Sequence, residues 1–179
     1  LGNWSLGDYF KKEQLPWFWE FLTKELEIDP KRLFVTVLES QELNQIDEES
    51  INIWNDIFNK EGLNPGDRVR SYGVDKNWWS RSGTPDKMPV GEPGGPDSEV
   101  FYDFGTPHDK RFGDMCHPNC DCGRFIEIGN SVFMQYIKKE KGFDDLPKKN
   151  VDFGAGVERL LMAVENQSDI FKTSLFSPI

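Results

Sequence analysis

The chain has 179 residues, with 21 Lys and Arg against 31 Asp and Glu, which gives a formal net charge of −10. This charge disfavours a broad basic surface for nucleic acid, and the 13% aromatic content argues against disorder. No run of 18 apolar residues and no basic, apolar leader is present, so we expect one folded cytoplasmic domain with no membrane partner.

The first third of the chain predicts two helices with a strand between them. Apolar residues at helical spacing predict a helix over about 14–27, in which Pro16 is tolerable only in the first turn. The run 33–38 predicts a strand. Asp47 begins the acidic first turn of a second helix, which Gly62 ends.

The rest of the chain alternates irregular structure with strands. Residues 63–123 hold most of the glycines and prolines, and predict turns with two short strands at 68–72 and 99–103. Residues 124–137 predict one long strand, and 151–164 a strand that runs through glycines into a helix. Because no regular βαβ alternation appears, the predicted fold class is α+β, with a mostly antiparallel sheet flanked by helices.

The glycine corner in this last segment is a candidate ligand site. Gly154 and Gly156 let a ligand approach the backbone, and the helix that follows points its free N–H groups at the same place. Arg159 is placed to grip a phosphate, and Asp152 to hold a ligand amine. A short G-x-G is a weak signal, so an ordinary strand-to-helix corner with a solvated Arg159 remains the alternative.

Three cysteines lie within seven positions. Cys116, Cys120 and Cys122, with His117 or His108, could complete a tetrahedral structural zinc site. The spacing is not the paired C-x-x-C of common zinc sites, so reduced thiols without a metal remain the alternative.

Three blocks of sequence, 1–12, 124–136 and 146–159, resemble the class II aminoacylation domain of the alanyl-tRNA synthetase family, in the family's order. Shorter segments between them also look like family segments, so the resemblance covers nearly the whole chain. It implies activation of alanine with ATP and Mg²⁺ and transfer to the 3′ end of tRNA(Ala). It further implies that 1–179 is part of a longer chain and covers the catalytic domain from the second strand of motif 2 through motif 3.

The resemblance also implies the residues that meet ATP. Arg159 looks like the catalytic motif 3 arginine that contacts the ATP phosphates, and Gly154 and Gly156 look like the glycines that give the nucleotide room. Glu127 is a candidate Mg²⁺ ligand.

The alanine-binding residues implied by the same resemblance are Trp79, Asn130, Asp152 and Gly154, with Asp152 pairing with the ammonium group. Trp79 matches the tryptophan that walls the pocket. Because Trp78 is adjacent, one of the two tryptophans lines the pocket and the other joins the core.

The position of Asn130 raises a difficulty. Strict alternation along the long strand puts Asn130 on the apolar face with Ile128 and Val132, and puts Glu127 and Gly129 on the other face. A bulge at Gly129 would aim Asn130 into the site. Without such a bulge, its amide would bond to neighbouring backbone.

The chain departs from the family pattern at several positions. Gly129 stands where the family usually has tryptophan, Phe153 where it has threonine, and 92–97 replaces a loop that bears threonine and cysteine. These departures keep two alternatives open: a non-catalytic paralogue or truncated module that retains amino-acid or nucleotide binding, and a small zinc-dependent interaction domain.

Partners follow from the same reasoning. A local cluster of lysines could meet the tRNA acceptor stem, although the pattern favours a solvated loop: Lys138, Lys139, Lys141, Lys148 and Lys149. A sheet that lacks its first strands would expose an edge, so a homo-oligomer is also expected.

Overall fold

The computed structural model describes residues 1–41, 43 and 45–177. Four α-helices are present in these ranges: α1 (Lys11–Glu20), α2 (Glu48–Lys60), α3 (Pro65–Arg68) and α4 (Val157–Val164). The strands in the same ranges are β1 (Gly2–Trp4), β2 (Leu33–Ser40), β3 (Gln45–Ile46), β4 (Val69–Tyr72), β5 (Trp78–Ser80), β6 (Pro93–Asp103), β7 (Phe125–Lys138) and β8 (Phe143–Gly154).

These strands form one eight-stranded sheet in the order β1-β8-β7-β6-β2-β3, with β4 paired to β2 and β5 paired to β6. Every pair is antiparallel except β2 with β4. The predicted α+β class with a mostly antiparallel sheet is therefore confirmed. None of the helices in the described ranges is both long and apolar enough to span a membrane.

Helices α1 and α2 cover one face of the sheet and bury the main core. Trp54 and Phe58 of α2 are fully buried, as are Val35 and Phe133 of the sheet. Helix α2 begins where predicted, because the Asp47 carboxylate accepts a hydrogen bond of 3.1 Å from the backbone N–H of Ser50.

Helix α1 begins earlier than predicted. The Glu13 carboxylate accepts the backbone N–H of Phe10 at 3.1 Å, so the helix begins at Lys11 and Pro16 lies inside it. The expectation that Pro16 occupies the first turn is therefore wrong. Pro16 lies in the helix interior, where it has no N–H group to donate to the carbonyl of Lys12. The helix then continues as a π-helical turn over Phe21–Glu25.

A bulge in β7 changes the alternation of its side chains. Ile128 and Gly129 together oppose Val100 of β6. Glu127 and Asn130 consequently lie on the same face of the sheet, although three positions separate them. The strict alternation predicted from sequence is wrong here, and the structure has the bulge that the alternative required.

Gly129 also explains a second departure from the family pattern. A Cβ at Gly129 would lie 2.4 Å from Cζ of Phe18 and 3.3 Å from Cε2 of Phe153. The two phenyl rings pack on each other, with centroids 4.6 Å apart. The small residue at 129 and the large residue at 153 therefore meet in the core and compensate each other in volume.

Strand β6 is longer than the predicted 99–103. Its first residues contain Gly95, where a Cβ would lie 2.0 Å from the carbonyl oxygen of Phe133. Only a glycine permits this approach of β6 to β7, and the ladder shifts register between Gly94 and Asp97. The glycines and prolines that suggested a loop thus belong to a bulged strand.

Candidate functional site

The sheet face opposite α1 and α2 carries a row of paired polar residues and a glycine. Thr36 of β2 pairs with Glu99 of β6, Glu99 pairs with Asn130 of β7, and Asn130 pairs with Gly154 of β8. Directly paired residues of antiparallel strands point to the same face. The row therefore brings two predicted site residues, Asn130 and Gly154, next to each other.

A second row follows one step along the strands. Asp97 of β6 pairs with Val132 of β7, and Val132 pairs with Asp152 of β8. Asp97 and Asp152 are therefore two strand spacings apart, roughly 10 Å between backbones. Asp152 is half-buried, and it shares a face with the carboxylates of β6.

Asp97 is the centre of a buried hydrogen-bond network. It is 3% exposed, and its two carboxylate oxygens accept the side-chain amides of Asn77 at 3.1 Å and Asn130 at 3.2 Å. The Asn77 amide also donates to the hydroxyl of Thr36 at 2.8 Å. Burial raises the pKa of Asp97 to about 7, although both asparagine amides act in the opposite direction.

Glu99 lies beside this network. Its carboxylate accepts the hydroxyl of Thr36 at 3.0 Å. Burial, followed by the charges of Asp97 and Glu127, raises the pKa of Glu99 to about 8. Within the described ranges neither Asp97 nor Glu99 forms a salt bridge, and a bound cation would stabilise the ionised form of both carboxylates.

Arg159 lies at the edge of this face. Helix α4 begins at Val157, immediately after Gly156, which places Arg159 in its first turn as predicted. The Arg159 Nη1 atom donates to Glu127 Oε2 at 3.0 Å and to the Glu127 carbonyl oxygen at 3.3 Å. The Arg159 side chain is 46% exposed, so part of the guanidinium fork remains accessible to a phosphate.

Gly154 leaves open space on the same face. A Cβ at Gly154 would meet no heavy atom within 4 Å, and the glycine is exposed. Nothing in the described structure therefore requires a glycine at 154. A ligand that approaches the backbone closely would require one. Gly156 differs, because its Cβ would touch the side chain of Arg159 at an ordinary 3.5 Å.

The two adjacent tryptophans have separate roles. Trp78 is 7% exposed, and its ring stacks on Tyr136 with an interplanar angle of 8°. Trp79 is 37% exposed and lies two residues after Asn77. Trp78 is thus the core residue, and Trp79 remains the candidate to wall the pocket.

Four members of this face were not singled out from the sequence: Thr36, Asn77, Asp97 and Glu99. A usable signal was present, since Asp97 and Glu99 stand at alternate positions of one strand and therefore point to the same face of the sheet. The network between Asn77 and Asp97 depends on pairing between strands distant in sequence, which no local pattern contains.

The cysteine cluster lies apart from this face, in the connection between β6 and β7. The ligand atoms of His108, Cys116, Cys120 and Cys122 all lie within 4.8 Å of one another. His117 is not among them, since its Nδ1 lies 2.8 Å from the hydroxyl of Tyr72.

The family model described as "tRNA synthetases class II (A)" matches residues 1–179. This chain belongs to that family. It is 40% identical over 182 residues to an alanine–tRNA ligase of Petrotoga mobilis and 42% identical over 189 residues to one of Thermus thermophilus. Each comparison covers 100% of this chain and 19% of the relative, so the chain spans about a fifth of their length.

Among solved structures, an apo histidyl-tRNA synthetase of Staphylococcus aureus is similar, with a TM-score of 0.43 and 11% identity. That comparison covers 92% of this chain and 38% of the synthetase chain.

Proposed function

We propose that this chain carries the amino-acid activation site of an alanine–tRNA ligase, which forms alanyl-adenylate from alanine and ATP. The observation that carries the proposal is the identity of about 40% to alanine–tRNA ligases over the whole chain. The longer enzyme would then transfer alanine to the 3′ end of tRNA(Ala).

Alanine binding is supported by the carboxylates of the sheet face. Asp152 shares a row with Asp97, so an ammonium group between β8 and β6 would meet carboxylates on both sides. Asn130 borders this place, and its buried Oδ1 has no hydrogen-bond partner within the described ranges. A ligand N–H group would satisfy that oxygen. Trp79 would wall the methyl group, and a pocket of this kind rejects glycine by only about 1–3 kcal/mol.

ATP and Mg²⁺ fit the residues at the other end of the row. Gly154 offers open space for the nucleotide, and Arg159 offers a charged fork for its phosphates. Glu99 and Glu127 would bind Mg²⁺ through their carboxylates. Carboxylate oxygens are the ligands that this cation prefers. When bound, Mg²⁺ supplies positive charge that neutralises the phosphate oxygens.

Two residues of the lysine cluster would contact the acceptor stem of the tRNA. Lys138 donates to the carbonyl of Pro85 at 3.0 Å, and Lys139 lies 3.3 Å from the carboxylate of Asp144, so both already have partners within the protein. Lys141 and Lys148 are exposed and are the better candidates to contact the acceptor stem.

The proposal is tested by calorimetric titration of the 179-residue chain with a non-hydrolysable alanyl-adenylate analogue. Asp152→Ala removes a charge-assisted contact worth about 1.5–3 kcal/mol, so affinity should fall roughly 10- to 150-fold. Asp145→Ala, an exposed residue of the same strand, is the matched control and should bind like the parent chain. A folded chain that fails to bind, or equal affinity of both variants, would contradict the proposed site.

A further inference from the structure

The connection between β6 and β7 is a long segment with very little apolar packing. Between residues 105 and 124 only Pro118 and Cys120 are buried, while Phe112 and Met115 are 48% and 80% exposed. Both ends of the segment are fixed, because Arg124 binds the Asp103 carboxylate through two hydrogen bonds of 2.7 Å. Burial of apolar surface therefore contributes little to stabilising one conformation of this segment.

Four potential metal ligands converge inside it. The sulfur atoms of Cys116 and Cys122 are 3.5 Å apart, and the sulfur of Cys120 lies 3.8 Å from Nδ1 of His108. Zinc bonds of about 2.3 Å to sulfur and about 2.0 Å to nitrogen, at tetrahedral angles, place ligand atoms about 3.5–3.8 Å apart. These two separations match that spacing, and the three cysteines form no disulfide.

The Nδ1 atom of His108 is free to bind a metal. His108 Nε2 lies 2.8 Å from the carbonyl oxygen of Gly113, which can only accept a hydrogen bond, so Nε2 carries the proton. Nδ1 then keeps its lone pair, and it is the atom that faces Cys120. A histidine that binds metal through one nitrogen commonly donates its other N–H to a backbone carbonyl in this way.

We propose that His108, Cys116, Cys120 and Cys122 bind one structural zinc ion that fixes the connection between β6 and β7. All four coordination positions come from protein side chains, so no position remains for a substrate and the metal is structural. The site is independent of the alanine and ATP site, although it lies between the two strands that carry Asp97, Glu99, Glu127 and Asn130.

The test measures the zinc content of the 179-residue chain purified under reducing conditions and then equilibrated with zinc alone. We expect one zinc per chain, and we expect Cys120→Ala and His108→Gln to lose it. His117→Gln is the matched control from the same segment and should retain one zinc per chain. Replacement of zinc by cobalt should produce the visible absorption of a thiolate-rich tetrahedral site.

Thiol alkylation tests the same site in the unmodified chain, where no substitution can impair folding. Alkylation of the unmodified chain, followed by mass spectrometry, should label the three thiols only after zinc is chelated, and chelation should lower the melting temperature. Three overturning results are possible: no zinc on the folded chain, zinc that depends on His117 rather than His108, or a disulfide between Cys116 and Cys122 under reducing conditions.

Discussion

The buried carboxylate of Asp97 should make the free energy of unfolding depend on pH in a defined direction. The pKa of this group rises from its ordinary value of 3.8 to about 7 on folding, chiefly because of burial. Below pH 4 both states are protonated. Between pH 4 and pH 7 the native state holds a proton that the unfolded state has released, so stability falls as the pH rises. Above pH 7 this contribution is constant.

Asp97→Asn removes the titration and keeps the shape of the side chain. At about 1.4 kcal/mol per pH unit, the loss in the parent chain amounts to about 4 kcal/mol by pH 8. The buried Oδ1 atoms of Asn77 and Asn130 have no partner within the described ranges, so either amide can turn over and accept the new N–H group. The substitution also removes one charge that raises the pKa of Glu99, which acts in the same direction.

The assay is urea unfolding of both chains at a series of pH values from 4 to 8. The variant should gain stability over the parent as the pH rises, with the gain on the order of 4 kcal/mol at pH 8. Asp56→Asn, which removes an exposed carboxylate of α2, is the control and should not reproduce the gain. A difference that stays flat from pH 4 to pH 8, or a variant less stable at pH 8, would refute the reasoning.

Three further expectations concern packing and cation binding. Lys11→Met should cost about 3–5 kcal/mol in urea unfolding, because it removes the cation that lies 2.6 Å from the buried carboxylate of Asp47; the exposed Lys12→Met should cost far less. Gly129→Ala should cost about 1–3 kcal/mol through its clash with Phe18, and adding Phe18→Leu should recover part of that loss; a loss that Phe18→Leu leaves unchanged would contradict the packing described. Mg²⁺ affinity, measured by calorimetry, should rise between pH 6 and pH 8, because the Glu99 carboxylate must lose its proton to bind the cation; a flat profile would exclude Glu99 as a ligand.

The sequence predicts the parts of this fold that local patterns determine. The capping residue Asp47 and the apolar spacing after it predicted α2, and the glycine corner predicted where α4 begins. Strand β6 was underestimated because its glycines and prolines are usually signs of a turn. They are accommodated by close contact with β7, and that contact exists only in the folded sheet.

The candidate site was partly predictable for the same reason. Arg159 and Gly154 belong to one continuous segment, so their proximity follows from the sequence. Glu127 lies on the same face as Asn130 only because a bulge shifts the register of β7 against β6, which alternation in a single strand cannot show. The buried network of Asp97 was missed because Asn77 joins it across strands.

The central claim is that a ligand occupies the open space beside Gly154, and Gly154→Ala tests it most directly. An added methyl group meets nothing within 4 Å, so the variant should fold and match the parent chain in its free energy of unfolding. It should nevertheless bind the alanyl-adenylate analogue at least about tenfold more weakly, since the methyl group fills space that the nucleotide needs. Unchanged affinity in a folded Gly154→Ala chain would contradict the account and place the ligand elsewhere.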